Sequence, residues 1–312
     1  MTSRSRSSKQ VRRLPALLRC ALAATCLLTW SDPIAAAVIY ERTSPYHHVM
    51  VLDAGGVRTL SFDGSQETRM SLRNPLLGHF DYTEMFHLAW LWNTNIQDVL
   101  MIGLGGGSTQ RSFLHYYPKV RIDSVDLDPV VVNVATNLFF VPVSERHRIH
   151  VADGRVYLRR ATNDFDLIIV DAYVSNRYGS YIPPHLVTRE FVESARAHLE
   201  PNGVLTYNVI GTLQGWKSDL VGALARTLYE VFPVVYYAPA ASSKNVVLLA
   251  CQTPEIMTGP QLQARASELI RRRVITLPTF YQRMNALGQV PFPPNRAPIL
   301  TDDHAPVESL AR

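Results

Sequence analysis

Cysteine is scarce in this chain, with three in 312 residues. Cys20 and Cys26 both fall in the first 37 residues, so the body holds only Cys251, inside the apolar run VVLLAC. One thiol cannot form an internal disulfide and suggests no cysteine metal cluster; in such a run it reads as a buried structural group. The histidines do not make up the shortfall. His47, His48, His79, His87 and His304 show no metal-ligand spacing, and adjacent His47 and His48 in a strand point to opposite faces. No metal is therefore expected. Net charge is also missing from the body. Residues 1–37 hold six basic residues against Asp32, a surplus of +5 that equals the net charge of the whole chain. A neutral body offers no electrostatic reason to expect nucleic acid or an anionic membrane as partner. No internal repeat is visible.

The basic start has the pattern of a secretory leader. Arg4 to Arg19 precede an apolar run from Cys20 to Trp30, then a polar break and Ala35-Ala36-Ala37. That run is shorter than the roughly 20 residues a bilayer span needs, so no stable membrane span is expected once the leader is removed. Cleavage near Ala37 would make the protein periplasmic or secreted, and retention of the leader would leave it cytoplasmic. Arg12-Arg13 suggests a twin-arginine signal, although LPALL after it fits poorly.

Four regions follow from the patterning: the leader over 1–37, an antiparallel β-module over 38–75, a nucleoside-binding α/β domain over 76–255, and a proline-rich tail over 256–312 packed on that domain. Two β-rich runs flank Gly55-Gly56, a hairpin signal. Tyr82 to Trp92 has helical periodicity, with Met85, Leu88, Ala89 and Trp92 on one face. From Asp98 apolar strands (DVLMIG, RIDSVD, RIHVAD, FDLIIVD, GVLTYNVI) alternate with helical stretches such as Pro129 to Leu138 and Thr188 to Leu199. That alternation predicts a Rossmann-like parallel sheet covered on both faces. PVVYYAP and KNVVLLAC add an antiparallel pair of strands.

The segment VLMIGLGGGSTQRSF, residues 99–113, is a strand, a glycine loop and a helix start. Such a loop lets backbone approach a ligand closely and aims helix amides at it, which marks Gly103, Gly105 and Gly107. Ser108 stands where a nicotinamide fingerprint needs glycine or alanine. The next strands end in Asp126, Asp153-Gly154 and Asp171. At the carboxyl ends of parallel strands these suit a ribose, an adenine and the mouth of one crevice respectively. Each has a plainer reading. Asp126 or Asp128 could cap the helix at Pro129, Asp153 could be a turn residue, and Asp171 could cap or solvate a loop.

Taken together, FDGSQ, the Tyr82-x-Glu84-Met85 helix start, the glycine loop, VDLDP, ADG and VDAY resemble the spermidine/spermine synthase family, the polyamine aminopropyltransferases. The likeness runs from about Tyr40 to Cys251, and the tail LTDDHAPVE resembles a divergent spermidine-synthase-like branch. It implies a seven-stranded methyltransferase-like sheet and an enzyme with no permanent cofactor. Decarboxylated S-adenosylmethionine would be the co-substrate, an amine the acceptor, and methylthioadenosine the product. By position, Asp171 would be the general base, Tyr82, Glu84 and Tyr173 would contact the amine, and Gln66 would join the donor site. The resemblance also implies a homo-oligomer built through the N-terminal module.

Several family positions differ. The loop acid is Gly106, the second acid after Asp171 is Val174, a tyrosine is replaced by Ala241, and Thr83 follows Tyr82. Gln66 matches the family glutamine one residue short. Donor and acceptor both carry ammonium groups, which are costly to bury unpaired. These losses predict a nucleoside end better kept than the amine end, with Glu84, Asp302 or Asp303 as replacement charges. Two other readings remain: an S-adenosylmethionine-dependent methyltransferase, whose donor keeps its carboxylate, and an exported non-catalytic binder of nucleosides or polyamines.

Overall fold

The computed structural model describes residues 36–176, 179–290 and 297–311; the leader lies outside the described residues except for Ala36 and Ala37. Strands β1 (Ala37–Thr43), β2 (His48–Ala54), β3 (Val57–Phe62) and β4 (Ser65–Ser71) form an antiparallel sheet in sequence order. The turn between β2 and β3 is Gly55-Gly56, both at positive φ (56° and 75°), a conformation glycine adopts without a steric penalty. Helix α1 (Tyr82–Met85) runs directly into a 3-10 turn over Phe86–Leu91. The periodic stretch is therefore helical but buried all round, with Phe86, His87 and Trp90 as covered as Leu88 and Ala89.

The central layer begins with β5 (Asp98–Ile102), α2 (Ser108–Tyr116), β6 (Arg121–Asp126), α3 (Pro129–Leu138), β7 (His147–Val151), α4 (Gly154–Arg160) and β8 (Phe165–Val170). A small hairpin, β9 (Val174–Asn176) and β10 (Gly179–Tyr181), precedes α5 (Arg189–Ala197) and β11 (Leu199–Ile210). Then come α6 (Ser218–Tyr229), β12 (Val234–Pro239) and β13 (Asn245–Cys251). The tail holds α7 (Gly259–Arg271), α8 (Phe280–Met284), the two-residue β14 (Gly288–Gln289) and α9 (Val307–Leu310).

The main sheet has the order β14-β12-β13-β11-β8-β5-β6-β7. β7, β6, β5, β8 and β11 are parallel, and β13 runs antiparallel between β11 and β12. Seven strands match the expected sheet; β14 adds an edge strand beside Tyr236 and Tyr237. Its central strands are apolar on both faces, as helix-covered parallel strands must be. The tail is more ordered than its prolines suggest. Thr258 and Gln261 form a capping box at α7, which buries Leu262, Ala266 and Leu269 against the sheet.

The N-terminal sheet reaches the α/β layer through one apolar cluster, in which Val49, Val51, Leu60 and Met70 pack on Val131, Val134 and Phe139. Asp128 pins the same junction. Its carboxylate caps α3 at the Val130 amide (2.8 Å) and accepts from the Ser44 hydroxyl (2.5 Å). Asp128→Ala should lower unfolding free energy by about 1–2 kcal/mol in a urea titration, the range of a lost helix cap. Asp128→Asn should lose less, and equal losses would mean that the cap contributes little.

Candidate active site

A cavity of about 250 Å³ opens at the carboxyl ends of β5, β6 and β8. Gly103, Gly105, Gly107, Asp126, Asp153, Gly154 and Asp171 all line it, with Gln66, Tyr82 and Tyr173. Sheet order explains the convergence, because β6, β5 and β8 are neighbours and their following loops share one edge. Glu84 is the exception. Its carboxylate is held by Arg283 at 2.7 Å and the Thr279 hydroxyl at 2.9 Å, which directs it into the α1–α8 contact and away from the cavity.

The loop needs its glycines for packing as well as for ligand approach. A Cβ on Gly103 would lie 2.1 Å from the Asp171 carbonyl oxygen, at a φ of 100°. Gly154 lines the cavity and is also required for packing, because a Cβ there would strike Ile102 Cγ2 at 2.3 Å. That glycine lets α4 sit tightly on β5. A Cβ on Gly106, the position of the family's loop acid, would meet Thr68 Cγ2 at 2.6 Å and Phe139 Cδ1 at 2.9 Å. The Gly106 amide donates to the Thr68 hydroxyl at 2.9 Å. Thr68 from the N-terminal sheet and Phe139 from the end of α3 thus fill the space that an acid would use.

Asp126 accepts from the Leu104 amide and the Asp128 amide, each at 2.9 Å. Withdrawal from water raises its carboxyl to about 6 against the lowering effect of those amides. Asp128, by contrast, is the cap. Asp153 does two jobs already: one oxygen caps α4 at the Val156 amide (2.9 Å), and the other lies 2.8 Å from His185 Nε2. Its carboxylate is engaged within the chain, and His185 joins it on the cavity wall.

Asp171 sits opposite, at the end of β8. It accepts from Asn208 Nδ2 at 2.8 Å and from the Tyr82 hydroxyl at 3.3 Å. Asn208 is oriented in turn by Asn245, which donates to its amide oxygen at 2.9 Å. Desolvation raises the Asp171 carboxyl to about 6, opposed by those two hydrogen bonds. Tyr82 is pushed well above its ordinary value by burial and by the Asp171 charge, so it stays a neutral donor. Tyr173 contributes its ring to the wall. Its hydroxyl donates to the Asn208 carbonyl at 2.6 Å and accepts from the Ile210 amide at 3.2 Å, which fixes the loop and leaves little for a substrate.

Of the cavity residues that escaped the sequence reading, two bear on Asp171. Asn208 is 2% exposed near the end of β11, and an amide between Tyr207 and Val209 in a buried run is the signal that could have found it. Glu67 is the other. It lines the cavity one residue past Gln66, whose side chain is exposed at the rim. Asp302 is outside the cavity lining, paired with Arg155 at 2.6 Å and accepting from the Thr188 hydroxyl at 2.7 Å. Ala241 stands beside the site, its amide and that of Ser242 tied to Asp81.

Residues 79–257 match the family profile described as the spermine/spermidine synthase domain. The chain belongs to the spermine/spermidine synthase family. A polyamine aminopropyltransferase of Vibrio vulnificus is 32% identical over 262 residues, covering 81% of this chain and 84% of that one. A probable spermidine synthase from Corynebacterium glutamicum shares the fold with a TM-score of 0.62 at 20% identity, over 75% of this chain and 88% of that one. Human methyltransferase-like protein 13, solved with SAH, superposes with a TM-score of 0.55 at 26% identity, over 62% of this chain and 92% of that one.

Two outcomes are expected. Gly106→Asp should destabilise the fold by about 1–3 kcal/mol through overpacking, read by urea unfolding; unchanged stability would mean that Thr68 and Phe139 move aside. Asp171 has a folded value of about 6, above its ordinary 3.8. A group raised in this way stabilises the fold below the lower value and loses that contribution as pH rises through the upper one. Asp171→Asn, which does not titrate, should therefore gain melting temperature relative to the parent on going from about pH 4 to about pH 8. The opposite trend would contradict the assigned desolvation.

Proposed function

We propose that this chain is an aminopropyltransferase. It moves the aminopropyl group of decarboxylated S-adenosylmethionine to a polyamine or another amine and releases methylthioadenosine. The observation that carries this reading is the Asp171 carboxylate, fixed by Asn208 and Tyr82 across one cavity from the glycine loop and Asp126. Asp126 is placed for the ribose of the donor, and the loop backbone for close approach to its adenosyl end.

The chemistry asks little of the protein. An amine nitrogen attacks the methylene beside the sulfonium, a C–N bond forms, and the C–S bond breaks with its electron pair left on sulfur. The amine proton passes to a carboxylate. Asp171, with a value of about 6, is ionised at neutral pH and can accept it. The hydrogen bonds from Asn208 and Tyr82 hold one geometry, and alignment alone supplies a large part of such a rate.

Methyl transfer from S-adenosylmethionine is the second reading. It is favoured by Gly106, since an acid there would repel a donor that keeps its carboxylate, and by the SAH-bound human neighbour. The assay is incubation of the protein with each donor and a mixture of amines, with the nucleoside products followed by mass spectrometry. Amine-dependent methylthioadenosine is expected. Its rate should fall about 100-fold or more in Asp171→Asn, the lower range for a lost general base. In the parent, kcat/KM should drop about tenfold for each pH unit below 6, as Asp171 takes up a proton. S-adenosylhomocysteine in place of methylthioadenosine would sink the aminopropyl reading.

A further inference from the structure

Glu67 stands where the pairing of β3 and β4 slips. Leu60 faces Thr68, yet the next residue, Ser61, faces Gln66, so Glu67 is the extra residue of a bulge. Bulges near active sites re-aim side chains. Here the slip leaves Gln66 exposed and brings Glu67 onto the cavity wall.

That carboxylate is met by the Ser65 and Ser180 hydroxyls, while Lys244, which also lines the cavity, sets its ammonium over the Trp216 ring at 4.8 Å. Glu67 accepts from the Ser180 hydroxyl at 3.4 Å, well beyond a charge-assisted contact. Among the described residues it forms no ion pair, whereas Glu84 and Asp81 share Arg283 and Asp302 pairs with Arg155. The nearby His47 ring is engaged with Asp63 at 3.3 Å. Desolvation raises the Glu67 carboxyl, and its charge in turn raises Asp171, Tyr82 and Tyr173. Two carboxylates thus face one desolvated space, an arrangement that favours a bound cation.

We propose that Glu67 holds the non-reacting ammonium of a diamine or polyamine acceptor, while Asp171 takes the nitrogen that reacts. This deepens the aminopropyl reading and rests on it. Val174 lines the same wall without charge, so Glu67 supplies from the N-terminal sheet the second acid that the loop after β8 lacks. The acceptor class follows: two acids select an amine with two positive charges over one with a single charge.

The test is calorimetric titration of putrescine and of butylamine into protein saturated with methylthioadenosine. Parent, Glu67→Gln and Glu67→Asp are compared, each first checked for unchanged melting and methylthioadenosine affinity. Glu67→Gln should weaken putrescine by about tenfold or more and leave butylamine within about twofold; about tenfold corresponds to one lost charge-assisted contact. Glu67→Asp should restore part of the loss. Equal weakening of both amines, no weakening of either, or a parent that does not bind putrescine would each overturn the proposal. Failure of the broader reading looks different: the parent binds putrescine in this Glu67-dependent way but releases no methylthioadenosine from decarboxylated S-adenosylmethionine.

Discussion

The close approach of Gly103 to Asp171 is the contact on which the site depends. The Asp171 amide donates to the Ile102 carbonyl, and the Gly103 amide to the Val125 carbonyl, each at 2.8 Å. These bonds carry the pairing of β8, β5 and β6 one residue past the strands themselves. A side chain at position 103 would meet the Asp171 carbonyl at 2.1 Å and force β8 away from β5. Asp171 would then leave Asn208 and Tyr82, and the cavity would lose its one fixed acid on that wall. Gly103 therefore acts on the chemistry through spacing, before any ligand is considered.

From that contact the cavity divides into two kinds of wall. One is made by the parallel strands, where Asp126 is held by two backbone amides and Asp153 by a helix amide and His185. The other is assembled from distant segments: Tyr82 from α1, Asn208 from β11 and Glu67 from the N-terminal sheet. The first depends on local strand-to-helix turns. The second depends on three contacts over long stretches of chain. Gly106 shows why departures are coupled. Once Thr68 and Phe139 fill the space above it, an acid no longer fits there, and a compensating charge has to come from elsewhere.

Much of the architecture was legible because it is periodic. Alternating apolar strands and helices specify a covered parallel sheet, and Gly55-Gly56 specifies a hairpin. Asp128 before Pro129 specifies a capped helix. The strand-end acids Asp126, Asp153 and Asp171 could be named for the same reason, since each ends a recognisable strand and all three line the cavity. The partners that Glu84, Gly154 and Gln66 meet rest on information a one-dimensional pattern does not hold. Glu84 meets Arg283, 199 residues away. Gly154 packs closely on Ile102, and a one-residue bulge sets Glu67 on the cavity wall beside Gln66.

The sequence by itself determined the sheet, its glycine loop and the row of acids along one edge, because strand period and turn chemistry are local. Only the tertiary structure decided which carboxylates are free to meet a substrate. Whether an acid is neutralised by an arginine, spent on a helix cap or left desolvated in a cavity depends on partners brought together by folding. Glu84, Asp153 and Glu67 are ordinary acids in the chain, and they become an ion pair, a cap and an unpaired charge only in three dimensions.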